Sequence, residues 1–82
     1  MQLSAEQIKA LIAMQIEGCG RRLAELAREI AVLRKQPIRG SRELMQRLHY
    51  LEGEQVKQQA RLDTLKDLQQ NIQTLEGFAR ET

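Results

Sequence analysis

The segment Gln36-Pro37-Ile38-Arg39-Gly40-Ser41 separates two long stretches of helix-forming sequence, and it decides the fold. Pro37 lacks a backbone N–H and biases the residue before it away from the helical conformation. Gly40 accepts a left-handed backbone, and Ser41 belongs to the residue types that cap the start of a helix. The segment therefore predicts a sharp turn between two helices.

Apolar residues on both sides of this turn follow the spacing of a coiled coil. Before the turn the predicted seam is Ile12, Ile16, Cys19, Leu23, Leu26, Ile30 and Leu33. After the turn it is Leu44, Leu48, Leu51, Gln55, Gln58, Leu62, Leu65, Leu68, Ile72, Leu75 and Ala79. We predict an all-α, coiled-coil-like two-helix antiparallel hairpin over residues 1–82, with helix one near 4–36, the turn near 37–40 and helix two near 41–80.

The ends and centre of the hairpin also have sequence signals. Ser4 and Gln7 have the spacing of a capping box, which predicts a helix start at Ser4. Folding the chain symmetrically pairs residues whose numbers sum to about 77, so that Cys19 faces Gln58. Gln55 and Gln58 then form either a polar layer that sets the register or part of a hydrated face.

Composition limits the class of protein. The chain has 82 residues, of which 41% are hydrophobic and only 2% aromatic, so its core must be aliphatic. A single cysteine cannot form a disulfide within the chain. The first residues lack the basic lead and apolar run of a secretory signal, and no apolar run is long enough to cross a membrane. A cytoplasmic location is the expectation.

Small residues form a second stripe on helix one, beside the seam. Two helices share one interface and leave their outer faces exposed, so a partner is implied. Small side chains let another helix approach closely. We predict a protein partner, most simply a second copy in a dimeric four-helix bundle, that packs on the following residues: Ala10, Ala13, Gly20, Ala24, Ala27 and Ala31.

No residue pattern indicates catalysis or ligand binding. His49 is the only histidine, and no second ligand lies one helical turn away from it. Cys19 lies on the seam, where a thiol behaves as a small hydrophobic group, although the nearby Arg21 and Arg22 would favour a reactive thiolate. We therefore expect no enzyme activity, cofactor, metal or small-molecule substrate.

Charge is distributed unevenly along the chain. Residues 1–20 carry a net charge of −1, residues 21–47 carry +5 and residues 48–82 carry −2. Because the turn lies inside the basic block, the turn end of the hairpin should be positive. The candidate contacts for an acidic protein or a nucleic acid are Arg34, Lys35, Arg39 and Arg42.

Two functions are compatible with this pattern. The first is a non-enzymatic protein–protein interaction module, meaning an adaptor, a small chaperone or an assembly subunit, that acts through helix–helix packing. The alternative is a nucleic-acid-associated regulator that uses the arginine-rich turn end. Against the alternative, the helices are too long for a helix-turn-helix, and aromatic residues for stacking on bases are nearly absent.

Overall fold

A computed structural model describes residues 4–81 of the chain. It contains helix α1, Ala5–Arg34, and helix α2, Arg42–Glu81, with no strand among the described residues. The helices pack side by side and antiparallel in a body of 64 × 25 × 15 Å. The predicted all-α hairpin is therefore confirmed.

Local side-chain hydrogen bonds begin both helices. At α1, the Gln7 backbone N–H donates to Ser4 Oγ at 3.2 Å, and the Ser4 N–H donates to Gln7 Oε1 at 2.8 Å. This reciprocal pair is the predicted capping box. At α2, the Leu44 N–H donates to Ser41 Oγ at 3.4 Å. Each helix start thus satisfies backbone donors that would otherwise lack partners.

The turn ends helix α1 and packs one half-buried side chain against the core. Helix α1 ends at Arg34, two residues earlier than expected, because Gln36 is held out of the helical region by the proline that follows it. Gly40 has a positive φ of 90°, the left-handed conformation that glycine adopts without steric cost. Ile38 packs back against the core and fixes the turn to the helices.

Two aliphatic clusters hold the helices together. The cluster near the turn contains Leu26, Ile30, Leu48 and Leu51, with Leu33 and Ile38 against it. The cluster toward the open end contains Cys19, Leu62 and Leu65, with Ile16 and Leu23 against it. Every residue of the predicted α1 seam is buried or half-buried, which confirms that seam.

The distal part of the predicted α2 seam is wrong at three of its four positions. Leu68 and Leu75 are 45% and 67% exposed, and Ala79 is also exposed. Ile72 is half-buried as predicted, and the other half-buried residues between Leu65 and Arg80 are Gln69 and Glu76. These continue the alternation of three- and four-residue steps that keeps one stripe of a helix facing its neighbour. The seam therefore follows regular helix geometry here, although this places polar residues between the helices and leucines on the outer surface.

The predicted pairing of the helices is also shifted. Folding at the midpoint places Cys19 opposite Gln58, whereas Cys19 packs with Leu62 and Leu65, which lie about one and two helical turns further along α2. A midpoint fold treats the turn as symmetric. In the structure Ile38 packs inward against the turn-end cluster, so the turn is not symmetric about its midpoint.

Candidate interaction surfaces

The register of the seam divides the hairpin into two broad faces. Assigning the buried positions to a and d of a heptad places Arg34 and Glu52 at e positions, and Glu29 and Arg47 at g positions. The structure pairs them accordingly: Arg34 Nη2 lies 3.5 Å from Glu52 Oε1, and Arg47 Nη2 lies 3.9 Å from Glu29 Oε2. One interhelical ion pair therefore marks each face.

We call the face built from e and b positions the alanine face. Its α1 side presents the predicted small-residue stripe, and all six members are exposed: Ala10, Ala13, Gly20, Ala24, Ala27 and Ala31. A Cβ placed on Gly20 would meet no atom within 4 Å, so packing inside the hairpin does not require a glycine there. The α2 side of this face includes Met45, His49 and Val56, all exposed. The face is flat and open to a neighbouring helix.

We call the face built from g and c positions the leucine face. At the open end of the hairpin it presents Ile8 and Leu11 from α1 and Leu68 and Leu75 from α2. Their exposed fractions run from 41% to 67%. The register places Ile8 between Leu68 and Leu75, so these side chains form one apolar group, which we call the open-end leucine group. Sequence reasoning missed this surface because it assigned both leucines of α2 to the seam.

The same face carries an open groove at its other end. This groove has a volume of about 360 Å³ and is lined by Arg28, Glu29, Val32, Leu33, Arg47 and Leu51. Leu51, which is 1% exposed, lies at its base, and the ion pair between Glu29 and Arg47 contributes to its wall. We call it the turn-end groove. An apolar floor with charged sides suits an aliphatic side chain from another molecule.

The predicted basic contacts differ in their surroundings. Arg34 is engaged with Glu52 across the helices. Within residues 4–81, Lys35, Arg39 and Arg42 have no ion pair, and all three are exposed at the turn. The structure therefore brings the four residues to one end of the hairpin and leaves three of them available to an anionic partner.

Polar residues occupy the middle of the seam. Gln55 and Gln58 are half-buried between the two aliphatic clusters. Gln58 and Cys19 both line a shallow groove of about 280 Å³. Cys19 is a free thiol and 5% exposed, which agrees with its predicted place on the seam. Two glutamines therefore interrupt the apolar seam between the two clusters.

An ion pair lies in the seam near the open end. Lys9 Nζ lies 2.8 Å from Glu76 Oε1 and 3.0 Å from Glu6 Oε1. The hydrogen bond to Glu76, followed by that to Glu6, raises the pKa of Lys9 above its ordinary value of 10.5. Extending the α1 heptad backward from Ile12 reaches Lys9, so opposite charges at the ends of the two seams are the signal that could have predicted this pair.

Residues 4–81 contain neither a cluster of metal ligands nor a membrane-spanning helix. His49 is exposed. No group of three or more His, Cys, Asp or Glu side chains in residues 4–81 is arranged to hold a metal ion. Neither helix, over the part of the chain that the structure describes, has the length and apolar character needed to cross a membrane.

Comparison of the chain with protein-family models, with curated proteins and with solved structures gave no match. The two faces and the charges of the hairpin are therefore the features that bear on its function.

Proposed function

We propose that this chain is a non-enzymatic protein–protein interaction module, an adaptor, small chaperone or assembly subunit, that works by helix–helix packing. One observation carries the proposal: among the described residues, ten large hydrophobic side chains are exposed, whereas eight residues make up the buried core. An apolar group on an otherwise polar surface is characteristic of a site of protein interaction. The open-end leucine group is such a site.

The area of the hairpin supports the same conclusion. Its accessible surface is 6718 Å², whereas a compact protein of 9.5 kDa exposes about 5,000 Å². The excess of about 1,700 Å² arises because two helices cover each other along one side only. A protein interface of ordinary size covers about 800 Å² on each partner. Covering one broad face would therefore remove about half of the excess.

The alanine face keeps its predicted role as a contact for a partner helix. Side chains no larger than a methyl group let two helix backbones approach closely over the length of the stripe, from Ala10 to Ala31. The bundle that results would hold four helices if the partner is itself a hairpin. The wide separation between the two faces allows each to bind a different helix pair.

The unpaired cations at the turn favour a second candidate, a nucleic-acid-associated regulator. Lys35, Arg39 and Arg42 form no ion pair within residues 4–81, and contacts between such side chains and phosphates dominate non-specific affinity. We rank this candidate below the first because its evidence is charge alone. Only Tyr50 and Phe78 are aromatic, which leaves little surface for stacking on bases.

The properties of the purified protein distinguish the two candidate functions. For the interaction module we expect helical circular dichroism, a mass by light scattering of at least a dimer, and low absorbance at 260 nm. A well-folded monomer whose mass does not change with concentration would contradict the module. Changing the four basic residues to Gln should leave the mass unaltered, whereas bound nucleic acid that is lost with this variant and with added salt would support the regulator. The residues to change are Arg34, Lys35, Arg39 and Arg42.

A further inference from the structure

We propose that the leucine face binds the leucine face of a second copy, with the two hairpins antiparallel. In this arrangement the open-end leucine group of each chain lies on the turn-end groove of the other. The inference rests on the proposed function, because it specifies the partner and geometry of one interface of that interaction module.

Twofold symmetry requires both contact features to lie on the same face, since each copy supplies both of them. The open-end leucine group and the turn-end groove meet this requirement. They are separated along α1 by the 24 residues between Ile8 and Val32, or about 36 Å at 1.5 Å per residue. When one hairpin lies reversed on the other, the residues near Leu11 of each chain lie opposite the residues near Val32 of its partner.

Charge selects the antiparallel orientation. The half of the hairpin nearest the turn, residues 21–60, has nine basic and five acidic residues and a net charge of +4. The open half, residues 1–20 and 61–82, has four basic and six acidic residues and a net charge of −2. An antiparallel pair places each positive half beside a negative half, whereas a parallel pair places +4 beside +4. Such complementarity fixes orientation more than it adds affinity.

The available area matches what a stable dimer needs. A broad face measures 64 by 25 Å, and contact over half of it gives about 800 Å² on each chain, the size of a standard interface. The leucine face supplies two apolar contacts to such an interface, one toward each end, because Ile8, Leu11 and Leu68 of each chain would be covered by it. The alanine face remains outside this dimer and stays available to a different helical partner.

The orientation can be measured with one spin label at the turn. Gln36→Cys carries the label in a Cys19→Ala background; if that background unfolds, native Cys19 is kept, since it is 5% exposed and reacts slowly. In the antiparallel dimer the two labels lie about 45 Å apart, twice the rise of about 15 helical residues. In a parallel dimer they lie closer than 25 Å, the width of the hairpin. A dimer with the short distance overturns the inference and leaves the interaction module intact.

The face can be tested with matched pairs of substitutions. Leu11→Gln with Leu68→Gln should raise the dimer dissociation constant more than about a hundredfold, because the twofold axis removes four buried side chains at once. The control, Met45→Gln with Val56→Gln, removes exposed hydrophobic side chains from the alanine face and should leave that constant within about threefold. Ala24→Trp should likewise remain dimeric. Dimers that survive the leucine-face pair but are lost with Ala24→Trp would overturn the inference, and a monomeric parent chain would overturn both proposals.

Discussion

The two halves of the hairpin use the same residue type in opposite ways. In the turn half, Leu26 and Leu51 are 0% and 1% exposed and form the centre of the core. In the open half, Leu68 and Leu75 of the same helix α2 are 45% and 67% exposed, while Gln69 and Glu76 lie against the neighbouring helix. Both halves therefore contribute to the core, whereas the exposed leucines of the described residues, Leu11, Leu68 and Leu75, all lie in the open half.

The two halves therefore differ in how much apolar surface they leave for another chain. Ile38 packs onto the turn-end cluster and helps to hold both helices in place, so the half that contains the turn has its own core. The open half has the cluster around Leu62 and Leu65, then Ile12, and then the ion pair between Lys9 and Glu76. We infer that the open half gains further stability when its exposed leucines are covered by another chain.

The largest effect should come from the centre of the turn half. Leu51→Ala removes a side chain that is 1% exposed, and we expect the free energy of unfolding to fall by about 2–5 kcal/mol. Val56→Ala, at a position 70% exposed on the same helix, should change it by less than about 0.5 kcal/mol. Urea unfolding followed by circular dichroism at matched protein concentration measures both. Equal losses in the two variants would show that the turn half does not hold the core described here.

A smaller change, an increase in the free energy of unfolding, is expected from substitutions where the two halves meet. Gln55→Leu together with Gln58→Leu adds apolar surface at two half-buried seam positions and should raise the free energy of unfolding by about 1–2 kcal/mol. It should also loosen the oligomeric specificity that a polar layer provides, seen as a change in mass by light scattering. The control is Gln46→Leu with Gln70→Leu, two exposed positions of α2. If both double variants change the free energy of unfolding by the same amount, Gln55 and Gln58 belong to a hydrated face instead.

Local signals were enough to predict the hairpin. The turn rested on Pro37, Gly40 and Ser41, whose backbone preferences act within a few residues, and the structure has each of them in the expected role. The α1 seam was predictable because its apolar residues keep the heptad spacing throughout. The distal α2 seam was not, because Leu68 is more hydrophobic than the adjacent Gln69, so hydrophobicity and the regular period indicate different residues at this place.

The surfaces were only partly predictable for the same reason. The small-residue stripe could be found from α1 alone, and its exposure agrees with a role outside the hairpin. The leucine face depends on the relative register of both helices. That register is seen only when both helices pack together with the turn that contains Ile38. A strict heptad applied to α2 from Leu62 onward would have placed Leu68 and Leu75 at g positions and would have revealed this face.

The smallest effect is expected at the tip of the open half, where Lys9 pairs with Glu76 and Glu6. The pKa of Lys9 is raised above 10.5 by these hydrogen bonds, so folding is favoured by the protonated amine. The stabilisation is therefore fully present below about pH 10.5 and is lost as the pH rises through the higher pKa of the folded state. Lys9→Gln should lower the urea midpoint slightly at pH 7, and the difference from the parent chain should narrow above pH 10.5. Lys66→Gln, at an exposed lysine with no ion pair among residues 4–81, should show no such pH dependence. A Lys9→Gln difference that stays constant up to pH 11.5 would mean that the side chain contributes by packing along the seam and not through its charge.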